Sequence, residues 1–231
     1  MQVISQHDWL NLQNSIDNCE VCHSETLFNY SELPPARPCF PIHTGRILLI
    51  SEAPPITGGF WNKNARDNLR KNVLELIKIP SQMTYQAEIE AFLSREFFLL
   101  QALKWPIASW EKGRNIGKTR NFNNLGPGEK RRLIDHSVSH HLKAEIEALS
   151  PVGILVLGNA ALEAFKNLME FPFDIQREGV EAFRGKRFVL KLSTSEVPFL
   201  VTLLPLPQNF RSPRKKEFIK QDFEQFLHWY R

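Results

Sequence analysis

The chain has 231 residues, of which 42% are hydrophobic, so it is long enough to bury one sizeable core and is not a disordered chain. A formal charge of +4 permits a nucleic-acid partner without requiring one, and three cysteines are too few for a disulfide scaffold. No apolar stretch reaches membrane-spanning length and the N-terminus lacks a secretory signal, so we expect a cytoplasmic protein that does not contact a membrane.

The predicted elements alternate between helices and strands. In chain order they are an N-terminal helix and cysteine-containing arm over 1–45, a strand over 47–50, helices over 67–79 and 85–94, a strand over 96–103, a helix over 129–149, a strand over 153–158, a helix over 159–169, strands over 188–192 and 199–204, and a last helix capped by Ser212 with Pro213 as its first residue. This order predicts one domain over 1–231 of the α/β class, a three-layer α/β/α sandwich with a mostly parallel central sheet.

The first strand runs directly into a carboxylate and two prolines. Residues 47–50 are four consecutive aliphatics, which is typical of a strand buried on both faces. Glu52 follows where open α/β sheets bind ligands, and the prolines prevent a helix from starting at once. Gly58 and Gly59 then precede Phe60 and Trp61, which we interpret as the floor for a flat ligand. The alternative is an ordinary strand exit with a solvated Glu52.

Two basic segments predict contacts with DNA. The first is a long, glycine-containing segment over 104–132, in which cations would contact phosphates and interleaved aromatic rings would stack on unpaired bases. The alternative is a solvated loop whose tryptophans pack on the body of the protein. The second segment, 211–216, opens the last helix, where cations oppose the helix dipole and therefore indicate an anionic partner. The predicted DNA-binding residues are Lys104, Lys112, Arg114, Lys118, Arg120, Arg211, Arg214 and Lys215.

The order of five motifs resembles the uracil-DNA glycosylase superfamily, in particular its iron–sulfur branches. The motifs are Cys19-x-x-Cys22 before the first strand, Ile50-Ser51-Glu52-Ala53-Pro54-Pro55 at its end, Leu103-Lys104-Trp105-Pro106, the segment 150–161, and Leu203-Leu204-Pro205-Leu206-Pro207 with Arg211-Ser212-Pro213 after it. They are similar to that branch's Cys-x-x-Cys, Gly-Glu-Ala/Gly-Pro-Gly, Val-Lys-Cys-Arg-Pro, Pro-x-x-Ile-Val-x-Leu-Gly-x-x-Ala and His-Pro-Ser segments. The resemblance covers most of the chain.

The resemblance implies an enzyme that flips a base out of DNA and hydrolyses its N-glycosidic bond. In such an enzyme the carboxylate corresponding to Glu52 positions or activates the attacking water while charge develops on the sugar. Phe60, or else Trp61, corresponds to the ring that stacks on the flipped base, and Gln101 to the amide that reads its edge. The implied base-binding residues are Ala53, Pro54, Phe60, Trp61, Gln101, Leu204 and Leu206. The expected substrate is uracil or a related deaminated base in single- or double-stranded DNA, bound by a monomer.

The chain departs from the family's motifs at two points. Ser51 and Pro55 replace glycines, which reshapes the first loop and removes one backbone N–H. Leu204 or Leu206 stands where the family has a histidine that hydrogen-bonds the leaving base, and loss of such a donor typically costs ~10²–10³ in rate. Gln208 and Asn209 are nearby replacement donors. A non-catalytic nucleic-acid-binding protein on the same fold is therefore the alternative function, and a small-molecule-binding α/β protein is a third hypothesis.

The cysteines indicate a metal site. Cys19-x2-Cys22-x16-Cys39-x3-His43 has the residue types and spacing of a tetrahedral zinc site, with three free thiols as the alternative. On the family's arrangement, His136 or His140 would replace His43. A family-type iron–sulfur cluster is not expected, because it needs four thiolates and this chain has Trp105 at the third position and Ser137 near the fourth.

Overall fold

The computed structural model describes residues 4–20, 22, 46–55, 59–64, 66–80, 83–109, 118–119, 124–168, 178–193 and 195–230, with 108–109 and 118–119 described by their backbone alone. Its strands are β1 Ile47–Ser51, β2 Phe97–Gln101, β3 Ala108–Ser109, β4 Lys118–Thr119, β5 Gly153–Leu157, β6 Arg187–Lys191 and β7 Glu196–Thr202. Five of them form a sheet in the order β2-β1-β5-β7-β6, and β3 pairs with β4 in a short antiparallel ribbon. Within the five-stranded sheet, only the edge strand β6 is antiparallel to its neighbour. With helices packed around this sheet, the predicted α/β sandwich is confirmed.

The central strands are buried on both faces, as their aliphatic runs predict. Every residue of β1, β2 and β5 is buried. Parallel pairing sets Ile50 against Leu100 and Val156, and it sets Ser51 against Gln101. The carboxyl ends of these three strands therefore lie side by side, and the residues that follow them share one edge of the sheet.

The described part of the chain contains nine α-helices, four of which begin at a side-chain cap. They are α1 Gln6–Asp17, α2 Asn68–Leu76, α3 Tyr85–Ser94, α4 Pro127–Ser137, α5 Lys143–Leu149, α6 Gly158–Phe165, α7 Val180–Phe183, α8 Pro207–Phe210 and α9 Pro213–His228. The side chains of Ser5, Asp67, Thr84 and Ser212 each accept a backbone N–H at the start of a helix, so the predicted cap at Ser212 is confirmed. Among the described helices, none is both long and apolar enough to cross a membrane.

The helix predicted over 129–149 is interrupted by a wide turn. Between α4 and α5 lies a π-helical turn, Val138–Leu142, in which the N–H of Lys143 bonds to the carbonyl of Val138. Such turns often occur at functional sites. Here the turn buries Val138, His141 and Leu142 together, so a histidine lies among the apolar side chains of the core.

The winding direction of the chain reverses between β1 and β5. The chain passes from β1 through α2 and α3 to β2, and then returns past β1 through α4 and α5 to β5. Right-handed crossovers in opposite directions place these helix pairs on opposite faces of the sheet. Such a reversal opens a crevice at the carboxyl ends of the two strands, which is where open α/β sheets bind ligands. Glu52 follows β1 at this crevice, and Gly158 follows β5.

Candidate functional site

Glu52 stands on a rigid support at the end of β1. Its backbone carbonyl accepts the N–H of Leu103 at 2.9 Å, and the carbonyl of Ser51 accepts the N–H of Ala102 at 2.8 Å. The exits of β1 and β2 therefore remain paired beyond the strands. Glu52 is half-buried.

An apolar cavity of about 310 Å³, which we name the Glu52 cavity, opens beside this carboxylate. It is lined by Ser51, Glu52, Ala53, Pro54, Pro55, Asp67, Leu69, Ile107, Leu204 and Leu206. Its volume is at the lower end of the range for small-molecule sites. The structure thus brings together Glu52 and four of the seven residues predicted to bind a base, namely Ala53, Pro54, Leu204 and Leu206.

A second, more polar cavity of about 470 Å³ shares Glu52 and Leu204 with the first. Its other lining residues are Gly158, Asn159, Ala160, Glu178, Gly179, Val180, Glu181, Leu203, Gln208, Asn209 and Lys215. Gly158 has φ +88°, and a Cβ there would lie 2.8 Å from Cβ of Leu204, so glycine allows α6 to start against this loop. Gln208 and Asn209, the predicted replacement donors, line this second cavity and not the Glu52 cavity. Asn209 Nδ2 donates to the carbonyl of Leu204 at 2.8 Å.

Asp67 is a second carboxylate in the Glu52 cavity, in addition to the residues predicted from the sequence. Its Oδ1 accepts the N–H of Arg70 at 2.6 Å and so caps α2. Burial raises the pKa of the Asp67 carboxyl above its ordinary value, against the opposing effects of hydrogen bonds from the N–H groups of Arg70 and Leu69 and of the Arg70 charge. An aspartate directly before an amphipathic helix predicts a cap, but nothing in the sequence indicates the cavity that the cap faces.

Phe60 and Trp61 belong to the core and do not line either cavity, which corrects their predicted stacking role. Their side chains are 1% and 3% exposed. Phe60 lies 5.1 Å from Phe92 between ring centroids, and Trp61 lies 5.2 Å from Phe98. Trp61 Nε1 also donates to the carbonyl of Leu99 at 3.1 Å. Burial against other aromatic rings is worth more to these side chains than exposure beside a polar loop.

Lys104 is not a surface cation, which corrects its predicted role in binding DNA. Its side chain is 2% exposed, forms an ion pair with Glu145 and donates to the backbone carbonyl of Gln101. Gln13 Nε2 donates to the other oxygen of Glu145 at 3.1 Å. Lys104 therefore joins α1, β2 and α5 inside the protein. Gln101, predicted to read a base edge, is itself buried in β2 and lines neither cavity.

The other predicted DNA contacts fall into two groups. Arg211 and Arg214 are exposed at the start of α9, and within the described part of the chain neither forms an ion pair with a carboxylate. Lys215 lines the second cavity, and its Nζ lies 3.7 Å from Oε1 of Glu181. In the first basic segment, Lys112, Arg114 and Arg120 lie outside the described residues, and Lys118 is described only by its backbone in β4. The β3–β4 ribbon follows directly after Ile107, at the wall of the Glu52 cavity.

Three potential metal ligands meet where α1 ends beside the π-helical turn. The donor atoms of Cys19, Cys22 and His141 lie within 4.8 Å of one another, and Cys22 Sγ is 3.3 Å from His141 Nε2. Two ligand atoms that bind the same zinc ion at about 2.3 Å lie at most about twice that distance apart, so the separation of these donor atoms is compatible with one shared ion. Both cysteines are free thiols. This cluster, named the Cys–His cluster below, has the composition of a metal site, with Cys22 and His141 buried and Cys19 half-buried.

The histidine of the Cys–His cluster is not one of those that the sequence analysis proposed. His140 is exposed, and His136 approaches only through its carbonyl, 4.0 Å from Cys22 Sγ. Cys39 and His43 lie outside the described residues. Ser137, near the family's fourth cysteine, instead accepts the N–H of Lys104 at 2.9 Å and donates to the carbonyl of Ala102 at 3.0 Å. The buried face of the helix, marked by Val138 and Leu142, was the available signal for His141.

Comparison with known proteins does not identify a family for this chain. No protein-family model matches the chain, and no curated protein matches it. The resemblance to uracil-DNA glycosylases therefore stays a prediction. Functional assignment depends on the chemistry of the Glu52 cavity and the Cys–His cluster.

Proposed function

We propose that the protein is a DNA glycosylase that hydrolyses the N-glycosidic bond of uracil or a related deaminated base. One observation carries this proposal: Glu52, at the carboxyl end of β1, opens onto an apolar cavity where the sheet changes its winding direction. Ala53, Pro54, Leu204 and Leu206 give this cavity apolar walls, which suit the faces of a flat base. The order of the sequence motifs supports the same function.

The proposed reaction needs a carboxylate next to the anomeric carbon of the sugar. Positive charge develops on the sugar as the bond to the base breaks, and the electron pair of that bond leaves with the base. The Glu52 carboxylate stabilises this charge and accepts a proton from the attacking water, whose oxygen bonds to the sugar. The apolar walls of the cavity exclude other water and strengthen these electrostatic interactions.

The DNA backbone would run along the start of α9. Arg211 and Arg214 are exposed there, beside the second cavity that Gln208 and Lys215 line. Cations at this position suit phosphates flanking a flipped nucleotide, so binding should weaken steeply with salt. A monomer in the cytoplasm is part of this proposal.

The proposed activity is tested by incubating the protein with single- and double-stranded oligonucleotides that contain uracil, hypoxanthine or xanthine, and then measuring abasic sites. We expect abasic sites in at least one of these substrates and none in the matched oligonucleotide with normal bases. Salt-sensitive binding without any abasic sites would overturn the enzymatic proposal. It would instead support a nucleic-acid-binding protein on the same fold.

That non-catalytic function is the second candidate, and specific observations favour it. Leu204 and Leu206 line the cavity where the family has its histidine. The rings of Phe60 and Trp61 are buried in the core and do not line the cavity, so they do not serve as the stacking ring of the family. A groove that binds DNA needs neither group. The retention of Glu52 at the cavity favours the enzyme.

We also propose that the Cys–His cluster binds a structural zinc ion. Two thiolates and one imidazole are ligands that zinc prefers, and Cys39 or His43 would supply the fourth position. The ion would fasten the segment after α1 to the helix that carries His141. Its role would be stability, because the cluster contributes no residue to the Glu52 cavity.

We expect purified protein to contain about one zinc per chain, measured by elemental analysis. His141→Ala should lower the zinc content and reduce the Tm by at least about 5 °C, because a buried ligand is lost. His140→Ala is the matched control, since the neighbouring imidazole is exposed, and it should change neither quantity. Metal-free protein whose Tm does not respond to added zinc would contradict the proposal.

A further inference from the structure

The Glu52 cavity contains one more acidic group than the proposed reaction has used so far. Asp67 lines the same walls as Glu52, Leu204 and Leu206. Hydrolysis of a glycosidic bond commonly uses two carboxyl groups, of which one assists the water and the other protonates the leaving group. Leu204 and Leu206 carry no donor for the base, and among the described residues that line the Glu52 cavity Asp67 is the carboxyl group besides Glu52.

Burial raises the pH up to which the Asp67 carboxyl keeps its proton, because it raises the pKa of this group. The cavity around it is apolar. Among the described residues, the Arg70 guanidinium of α2 opposes this rise, and Glu52 lines the same cavity as Asp67. Two carboxyl groups in one cavity with different surroundings are a recurrent basis for dividing the roles of acid and base.

We propose that Asp67 is the general acid of this glycosylase and donates its proton to the departing base. This inference rests on the proposed function. As the bond between sugar and base breaks, the electron pair moves onto the base and the base takes the proton of Asp67. The water oxygen bonds to the sugar and its proton passes to Glu52. Exchange with solvent then returns a proton to Asp67 and removes one from Glu52, so that hydrolysis consumes only one water.

The role of Asp67 as the cap of α2 can be separated from this acid role. Serine and asparagine are both good N-cap residues, so Asp67→Ser and Asp67→Asn should retain α2. Because the pKa of Asp67 is raised in the folded state, ionisation above that pKa costs stability, and stability is greatest below it. Asp67→Asn cannot ionise, so its stability should not show the decline that the wild type shows as the pH rises through the raised pKa of Asp67.

The test compares single-turnover release of uracil and of 5-fluorouracil from the same oligonucleotide. Fluorine stabilises the departing anion, so this base depends less on an acid. We expect Asp67→Ser to slow uracil release about 10²-fold and 5-fluorouracil release less than about 10-fold. Wild-type activity should fall as the pH rises through the raised pKa of Asp67, and this decline should be absent in Asp67→Asn.

Thr84→Ala is the control, because it removes the cap of α3, which lines neither cavity, and should affect both bases equally. Equal losses for the two bases in Asp67→Ser, or unchanged rates, would overturn the role of Asp67 and leave the glycosylase proposal standing. A wild-type protein that releases no base would overturn both.

Discussion

Replacement of Glu52 by glutamine is expected to slow base release by about 10³-fold. Glutamine has the same shape, but it neither accepts a proton from water nor carries the negative charge that stabilises the developing sugar cation. The substitution should leave the fold intact, because the side chain is half-buried at the cavity and the backbone bond from Leu103 is retained. Single-turnover rates on the preferred oligonucleotide, together with thermal unfolding, measure both effects.

Glu178→Gln is the matched control for this substitution. Glu178 is an exposed carboxylate that lines the neighbouring second cavity, and its loss should change the rate by only a few-fold. Equal rates for the wild type and Glu52→Gln would remove Glu52 from the reaction. Equal losses in Glu52→Gln and Glu178→Gln would indicate a general effect of charge on DNA binding.

Replacement of Glu145 by alanine is expected to lower the free energy of unfolding by about 3–5 kcal/mol. Lys104 and Glu145 are each 2% exposed, so the substitution leaves a buried ammonium group without this counter-charge. It also removes the oxygen to which Gln13 donates. Urea unfolding at constant pH measures the loss, with the slope of the transition as a check on two-state behaviour.

A double substitution distinguishes a lost charge partner from a lost side chain. Lys104→Met combined with Glu145→Leu fills the same space without charge, and such replacements of buried ion pairs are often neutral or stabilising. We therefore expect the double variant to be more stable than Glu145→Ala. A loss as large as that of Glu145→Ala would show that packing of Glu145, rather than its charge, decides stability here.

The place of Glu52 could be predicted from sequence because two local rules agree. A run of four aliphatics defines β1, and the residue after a central parallel strand lies at the ligand-binding edge of the sheet. Leu204 and Leu206 were assigned to the same site by the family resemblance, and the structure has them after β7, in the lining of the Glu52 cavity. Position along a parallel sheet is therefore readable from the order of the strands.

The direction of a side chain outside the strands and α-helices could not be predicted from the order of the strands. Phe60 and Trp61 follow Gly59, whose φ of +66° starts a short 3₁₀ turn that directs both rings into the core. Arg70 and Tyr85 then hold this turn by donating to the carbonyls of Phe60 and Trp61, at 2.8 Å and 2.6 Å. These bonds come from residues ten or more positions away, so the local sequence does not contain them.

Residues with distant partners were missed for a related reason. Lys104 was assigned to the surface because its segment is basic, but its partner Glu145 lies in a different helix. His141 was missed because the family's arrangement indicated His136 or His140, whereas the fold buries His141 in the π-helical turn beside Cys22. Asp67 was predicted only as the start of a helix. In each case a tertiary contact decides the role of the side chain.

Identification of the reaction products tests the central claim most directly. One uracil-containing oligonucleotide is incubated with excess protein, and the released base and the remaining strand are identified by mass spectrometry. We predict free uracil and an intact strand with one abasic sugar for the wild type, and neither product from Glu52→Gln over the same time. An unchanged oligonucleotide with the wild-type protein, or equal release by the two proteins, would contradict the assignment of Glu52 and its cavity to base excision.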